Sequence, residues 1–360
     1  MATAALPLIT SQAETLKLSK VTTFPKLRAL AWNGNVLYAS RGYELRRAGI
    51  TSPSEPIHWE YVATVRPPLW RIVSSTSRLT TRLFRDGFHA LAVLDSGELI
   101  GAIPKAIVTL SPGEEQFRVT HRISRGTRPL HFAVTPENHV YWGEYFDNPQ
   151  RDEVHIYVSA DRGAHWDVAY TFARGMIRHV HNVVYDEWEH CLWVLTGDNA
   201  SECRIIRAAC DFRDVEIVLS GNQQVRAAAV IPMQDGLYFA SDTPLERNHI
   251  YHLSRQGKLT RISELSSSSI YSCRVADHLF FSTMVEPSAA NRERNVRVYG
   301  GDRSHFKALL SWEKDLWPLN LFQYGNAVFP DGNNKSGVLA LTTVAVRGAD
   351  CETFLWQISQ

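Results

Sequence analysis

The segment Arg226–Ala240, RAAAVIPMQDGLYFA, decides the fold. In it a short apolar strand runs into a polar turn and then directly into a second apolar strand. The same arrangement recurs six more times, in units that begin at Arg28, His89, Leu130, Val180, Tyr271 and Tyr324. Successive units lie 41 to 61 residues apart, which brackets the length of a four-stranded propeller blade. The pattern predicts an all-β, seven-bladed β-propeller.

The two ends of the chain indicate how this ring closes. The last unit ends near Ile358 with only three strands, and the segment Leu16–Val21, LKLSKV, is a strand without a partner at the N-terminus. Pairing this strand with the last blade would remove an open sheet edge. We therefore expect one propeller domain over residues 1–360, with an inserted loop or extra helix at 67–82. The alternative for a chain of this length is two separate domains.

Composition excludes several classes of function. The chain has 38 Lys and Arg against 37 Asp and Glu, so it carries no electrostatic footprint for nucleic acid. No apolar run is long enough to span a bilayer, and the first residues do not resemble a secretory signal. The five cysteines are an odd set without CxxC spacing, which indicates reduced thiols and a cytoplasmic setting.

One segment carries a family resemblance. The stretch Ser159–Trp166, SADRGAHW, matches the Ser-x-Asp-x-Gly-x-x-Trp pattern of the Asp-box, or BNR, repeat. In this pattern Asp161 accepts backbone N–H bonds, Gly163 takes a positive φ and Trp166 packs between blades. The chain thus resembles the sialidase-like superfamily of propellers. Because the Arg-Ile-Pro motif of true sialidases is absent, the resemblance implies a carbohydrate-related fold rather than sialidase activity.

In a propeller, the start of each inner strand and the loop after each second strand lie on the same face. Polar residues occupy both sets of positions, so we expect them to converge on one ligand site. The candidates for acid–base catalysis are His181, Asp198, Glu202, Glu144 and Tyr271. The candidates for substrate binding are Arg28, His89, His131, His179, Arg226 and Tyr324. Asp147, Asp242 and Glu286 lie in the same set of loops. Solvated loop residues and interblade ion pairs are the alternative roles.

Two of the histidines also predict a site for a divalent metal ion. His179 and His181 are two apart on one strand and so point to the same face. A third ligand would come from His131 or His89, although the spacing matches no recognised metal motif. Hydrogen bonding between blades is the alternative role. No cofactor is indicated beyond this metal, and the sequence contains no phosphate-binding loop, GxSxG or HExxH motif.

Taken together, these residues predict a carbohydrate-active propeller. Arginines would hold the carboxylate of an anionic oligosaccharide, and the catalytic candidates would cleave or rearrange a glycosidic linkage as a hydrolase or a lyase. The ligand would be a carbohydrate or another small polar molecule. The alternative is a non-catalytic propeller that serves as a glycan- or protein-binding scaffold. An apolar surface patch would favour that alternative.

Overall fold

The computed structural model describes residues 16–52, 55–319 and 321–359. Its first strand, β1 (Lys17–Pro25), pairs antiparallel with the last strand of the chain, from Lys17 opposite Ser359 to Pro25 opposite Glu352. The predicted closure is therefore confirmed. The strand order in that sheet makes β1 the outermost strand of the seventh blade. Leu16, just before β1, is buried in the core.

Seven sheets surround a central channel, and each contains four antiparallel strands from one blade, which confirms the predicted propeller. The strands of blades 1 to 3 are β2 (Arg28–Gly34), β3 (Val36–Arg41), β4 (Glu44–Gly49), β5 (Glu60–Thr64), β6 (Ala90–Val93), β7 (Leu99–Ile103), β8 (Ala106–Leu110), β9 (Arg118–Arg122), β10 (Ala133–Val134), β11 (Val140–Gly143), β12 (Val154–Ser159) and β13 (Asp167–Phe172).

The strands of blades 4 to 6 are β14 (His179–Asp186), β15 (Cys191–Gly197), β16 (Arg204–Ala208), β17 (Val215–Ser220), β18 (Val230–Met233), β19 (Gly236–Ala240), β20 (Asn248–Ser254), β21 (Leu259–Leu265), β22 (Ser269–Val275), β23 (His278–Thr283), β24 (Asn295–Gly301) and β25 (Phe306–Glu313). The chain then forms β26 (Asn326–Val328), β27 (Asp331–Asn334), β28 (Val338–Val344) and β29 (Glu352–Ser359). Blade 7 consists of β26, β28, β29 and β1.

The hydrophobic core lies between the blades. Seven clusters of buried side chains occur among the described residues, and each lies between two neighbouring blades. Trp142 of blade 3, for example, packs in one cluster with Ile100 and Ile107 of blade 2. Apolar residues therefore cover both faces of each inner strand pair, which explains why these strands read as continuous apolar runs rather than alternating ones.

One strand departs from the simple blade plan. β27 lies in the connection between the first two strands of blade 7, but it pairs in parallel with β2 of blade 1, where Ala31 is opposite Asp331. It therefore extends the blade 1 sheet by a fifth strand on the channel side. Gly332 has a φ of 84°, and a Cβ at that position would lie 2.2 Å from the Trp32 carbonyl oxygen. Only glycine allows this close approach.

Two short helices occupy the predicted insertion. They are α1 (Leu69–Ser74) and α2 (Arg78–Phe84), in the connection between blades 1 and 2. Arg82 of α2 is 1% exposed, pairs with Asp315 and stacks on Trp317 with its guanidinium carbon 4.3 Å from the ring centre. This contact ties the hairpin to the connection between blades 6 and 7. No helix among the described ranges is long and apolar enough to cross a membrane.

The turn between β12 and β13 has the hydrogen bonds that its sequence predicts. Asp161 Oδ1 accepts from the Ser159 hydroxyl and from the backbone N–H of His165, both at 2.9 Å. Gly163 has a φ of 84°. Trp166 is half-buried rather than fully buried, and its ring lies 6.3 Å from that of Trp142. The turn joins the two outer strands of blade 3 on the face opposite to the start of the inner strands.

Candidate functional site

We call the face on which the inner strands begin the top face. On it, blades 4 and 5 bring together five polar residues that we call the His–Asp cluster: His179, His181, Asp198, Arg226 and Asp242. The histidines lie at the start of β14, and Asp198 follows β15 in the same blade. Arg226 precedes the inner strand of blade 5, and Asp242 follows its second strand. The predicted convergence of inner-strand starts and second-strand loops thus occurs for these residues.

The atoms of the cluster are close together. His181 Nε2 lies 3.1 Å from His179 Nε2 and 3.3 Å from Asp198 Oδ1. Arg226 Nη2 lies 3.1 Å from the same Oδ1 atom. Arg178 Nη1 lies 3.1 Å from the other oxygen, Oδ2. The Asp198 carboxylate is thus surrounded by four nitrogen-bearing side chains.

The two carboxyl groups of the cluster have opposite protonation states. Burial acts to raise the pKa of Asp198, but the contacts with His179 and His181 outweigh it and hold that pKa well below its usual range. Burial raises the pKa of Asp242 to about 8, and Arg226 only partly offsets this. Asp198 is therefore ionised at neutral pH, whereas Asp242 is largely protonated. Pairs of acids that differ in this way are typical of acid–base sites.

Aromatic and acidic side chains border the cluster. The ring of Tyr145, which follows β11 of blade 3, lies 4.3 Å from that of His179. Burial raises the pKa of Tyr145 to about 12, so its hydroxyl is a donor at neutral pH. Glu286 of blade 6 is half-buried, and burial also raises its pKa.

Glu144 and Glu202 do not join the cluster, contrary to the sequence-based expectation. Both oxygens of Glu144 bind Arg125, and one also accepts the backbone N–H of His155 at 2.9 Å. Glu202 Oε1 accepts from Arg151 Nε at 2.8 Å. Both side chains are buried. Each carboxylate is neutralised by its arginine, so its role is to hold neighbouring blades or loops together.

A second group lies on the top face near blades 1 to 3. We call it the arginine pocket: Arg28, Arg85, Arg128 and His89. Arg28 and His89 open the inner strands of blades 1 and 2, and Arg28 Nη2 lies 3.4 Å from His89 Nδ1. With Arg85 and Arg128 they line a cavity of about 70 Å³. Since a water needs roughly 10–15 Å³ of such space, the cavity accommodates a group of a few atoms.

The arginine pocket is strongly cationic. Within the described part of the chain, none of its three guanidinium groups forms an ion pair. Asp86 also lines the cavity, but its carboxylate is occupied by Arg71 and Ser74. Burial and the neighbouring guanidinium of Arg28 lower the pKa of Arg128 to about 9. Burial also lowers the pKa of His89 far below its usual value.

The remaining predicted residues have other surroundings. His131 lies in the channel with its Nδ1 atom 2.9 Å from an Asp331 oxygen, so it is not a ligand of the His179–His181 pair. Tyr271 is buried, 5.9 Å from the His131 ring. Burial raises the pKa of Tyr271 by more than the nearby Arg28 and Arg128 lower it. Tyr324 is exposed at 39%.

A larger cavity, of about 720 Å³, occupies the channel itself. It extends toward the ends of the inner strands and so toward the bottom face, where its walls include Trp32, Asp95 and Arg274. β27 lines one side of it. We expected a single concave site at the start of the inner strands. The structure instead has two cavities: the small basic cavity on the top face and this channel cavity, which extends toward the bottom face.

Sequence reasoning missed Tyr145, Arg85 and Arg128. A signal was present for two of them, because Tyr145 lies in a loop after a second strand and Arg128 lies two residues before the third unit. Arg85 ends α2 with a φ of 53°, in the left-handed region. Nothing in the local sequence predicts that the insertion folds back toward the connection between blades 6 and 7, because that depends on the burial of Arg82 against a distant loop.

No protein-family model matches this chain, and no curated protein sequence matches it. Its fold is similar to that of a chain in a crystal structure of the mitotic checkpoint complex, with a TM-score of 0.59, 11% identity and full coverage of both chains. It is also similar to the WD40 β-propeller domain of Doa1, with a TM-score of 0.58, 9% identity and coverage of 95% of this chain and 97% of that one.

A third similar structure is an extracellular domain of the hybrid two-component system BT4673 from B. thetaiotaomicron, with a TM-score of 0.55 and 11% identity. The match covers 97% of this chain and 43% of that one. At such identities the likeness concerns the fold alone, and proteins of very different roles share that fold. The comparisons agree with the architecture: the chain folds as a seven-bladed β-propeller.

Proposed function

We propose that the top face binds an anionic oligosaccharide, with a sugar carboxylate in the arginine pocket, and that the His–Asp cluster cleaves or rearranges a glycosidic linkage. The observation that carries this proposal is the arginine pocket, in which three guanidinium groups have no acidic partner among the residues described. Arginine binds carboxylates through paired N–H donors. A carboxylate entering the cavity would neutralise charges that repel one another.

The His–Asp cluster supports the chemical part of the proposal. Asp242 is largely protonated at neutral pH and so can donate a proton to a leaving oxygen. Asp198 is ionised at neutral pH and supplies the negatively charged partner of this acid. The resemblance of Ser159–Trp166 to an Asp-box favours a carbohydrate over other anions, although that turn lies on the opposite face.

Isothermal titration tests the binding step. The probes are a glucuronate-containing oligosaccharide and a neutral oligosaccharide of the same length. We expect the acidic probe alone to bind, and Arg128→Gln to weaken its binding by about tenfold or more, because a charged hydrogen bond contributes about 1.5–3 kcal/mol. Arg118→Gln is the matched control, since Arg118 is an exposed arginine paired with Glu114. Equal binding of both probes, or of neither, would contradict the proposal.

Turnover is tested separately with Asp242→Asn. The amide cannot donate a proton as an acid does, so we expect product formation to fall by about 100-fold or more while probe binding persists. Product analysis by mass spectrometry distinguishes hydrolysis from elimination, because elimination products lack one water. Unchanged turnover in this variant would remove Asp242 from the mechanism.

The second candidate function is a non-catalytic scaffold that binds a protein. The α1–α2 hairpin exposes several large apolar side chains, among them Leu69 at 82% and Val73 at 70%. Exposed apolar patches of this kind mark interaction surfaces. Light scattering on the wild type and on the double variant Leu69→Glu, Val73→Glu tests self-association through this patch. A dimer that becomes a monomer in the variant would support the second candidate, and two monomers would count against association through the patch.

A further inference from the structure

We propose that His179, His181 and Asp198 bind one divalent transition-metal ion, with zinc favoured by the ligand set and spacing. The sequence suggested a metal at the two histidines but assigned the third ligand to another blade. In the structure all three ligand atoms come from blade 4. The inference goes beyond the proposed function, because it does not depend on the arginine pocket or on any carbohydrate.

The distances between the three ligand atoms fit a metal centre. His179 Nε2 and His181 Nε2 are 3.1 Å apart, and Asp198 Oδ1 lies 3.3 Å from His181 Nε2 and 3.6 Å from His179 Nε2. Zinc bonds to histidine nitrogen and carboxylate oxygen are about 2.0–2.2 Å long, which at tetrahedral angles separates the ligand atoms by roughly 3.3–3.5 Å. The triangle therefore already has the size of one face of a zinc tetrahedron.

The positions of the protons on the two histidine rings also favour a metal site. His179 Nδ1 lies 3.0 Å from the Phe146 carbonyl oxygen, and His181 Nδ1 lies 3.0 Å from the Ala227 carbonyl oxygen. A carbonyl oxygen only accepts, so each Nδ1 atom carries the proton. In the neutral rings both Nε2 atoms are then bare. Two nitrogen lone pairs and a carboxylate oxygen then face one another, and a shared cation would make this arrangement favourable.

That cation could be a proton or a metal ion. A proton would leave one buried imidazolium, whereas a metal ion would bind both Nε2 atoms and Asp198 Oδ1 at once. His179 and His181 are 5% and 4% exposed. Hydrogen bonds from Nδ1 to backbone carbonyls are also the outer contacts that orient metal-binding histidines. A metal ion explains the geometry without a protonated ring.

The charges around the triangle are compatible with an added cation. Arg226 Nη2 is 3.1 Å from Asp198 Oδ1, but it also lies 3.5 Å from Asp242 Oδ2. Arg226 is thus shared between two carboxyl groups rather than bound to Asp198 alone. Three protein ligands leave the fourth position open, as in catalytic zinc sites, where a bound water has a pKa of about 7.

The other group of candidate ligands in the described part of the chain lacks these features. Asp186, Glu189 and Cys191 are also close together. However, Arg255 Nη1 lies 2.5 Å from Asp186 and 3.5 Å from Glu189. Trp193 Nε1 also donates to Asp186 at 2.9 Å. This group contains no histidine, and one guanidinium binds both of its carboxylates, so it is an interblade ion pair.

The test begins with the full chain after dialysis against a chelator and then against metal-free buffer. Titration with zinc, followed by calorimetry, should show one ion bound per chain. Cobalt(II) in place of zinc should give the intense visible absorption of a four-coordinate site. We expect His181→Ala and Asp198→Asn each to weaken zinc binding by about 100-fold or more, because each removes one of three ligands.

His249→Ala is the matched control, because His249 is a half-buried histidine whose ring bonds Gln224 away from the triangle. It should bind zinc as the wild type does. Absence of zinc binding by the wild type, or unchanged binding by both ligand variants, would overturn the proposal. If the variants fail to fold, absence of the cobalt spectrum in the wild type still overturns it. Titration of the acidic oligosaccharide with chelator present reports on the arginine pocket independently of this result.

Discussion

The guanidinium of Arg226 lies 3.5 Å from the Asp242 carboxyl group, yet the pKa of Asp242 is raised to about 8. Burial is the main cause, because Asp242 is 3% exposed and the ionised form loses its hydration. Arg226 is shared with Asp198, whose negative charge acts in the opposite direction. Asp242 thus stays protonated beside Asp198, which its contacts with His179 and His181 keep ionised.

This relationship predicts a pH dependence of stability. Between about pH 4 and pH 8 the folded chain retains the Asp242 proton that the unfolded chain releases. Unfolding then releases a proton, so the contribution of Asp242 to stability falls as the pH rises through this window. Asp242→Asn removes the contribution. Urea unfolding at about pH 5, 7 and 9 should show the variant gaining stability relative to the wild type as the pH rises. Parallel curves would contradict the assignment.

The ring closure predicts the effect of an N-terminal deletion. Removing residues 1–25 strips β1 from blade 7 and exposes the edge of β29. We expect a lower melting temperature and concentration-dependent association, because an unpaired edge recruits other strands. Removing only residues 1–15, which lie outside the described residues, is the control and leaves the β1–β29 pairing in place. A monomeric 1–25 deletion with the wild-type melting temperature would show that β1 is dispensable.

The turn at Ser159–Trp166 predicts a difference between two glycines. Gly163 and Gly175 have similar φ values of 84° and 88°, so alanine at either position incurs a left-handed strain of about 1–2 kcal/mol. At Gly163 the new Cβ would also lie 2.7 Å from Ile100 Cδ1 and Thr109 Oγ1, whereas at Gly175 it meets open space. We expect Gly163→Ala to lose a further 1–3 kcal/mol, roughly, in denaturant unfolding. Equal losses of stability in the two variants would mean that Ile100 and Thr109 of blade 2 move aside for the methyl group.

The contacts of Arg82 predict that this side chain holds the α1–α2 insertion in place. This arginine pairs with Asp315, is almost fully buried and lies against Trp317. Arg82→Met leaves Lys314 as the remaining cation of Asp315, so the loss should be smaller than the roughly 3–5 kcal/mol of a fully uncompensated buried charge. We expect limited proteolysis to cleave within residues 66–86 earlier than in the wild type. Arg118→Met, at an exposed ion pair, should leave the cleavage pattern unchanged.

Periodicity was sufficient for the architecture. Seven apolar strand pairs, an unpartnered strand at Leu16–Val21 and a three-strand last unit determined the number of blades and their closure, because blade geometry is local and repeats along the chain. The same geometry correctly brought His179, His181 and Asp198 to one place. Those three residues lie in a single blade, where distance along the chain and distance in space are closely linked.

Side-chain contacts between blades were decided only by the tertiary structure. The sequence does not show that Arg125 pairs with Glu144, that Arg151 pairs with Glu202 or that Asp331 pairs with His131 in the channel. It also does not show that Arg28, Arg85 and Arg128 meet without an acid between them. An ion pair depends on which side chains face each other after the ring has closed, and on how much water remains around them. Strand periodicity contains neither quantity, so the sequence alone determines the ring and the tertiary structure determines which of its charges stay free.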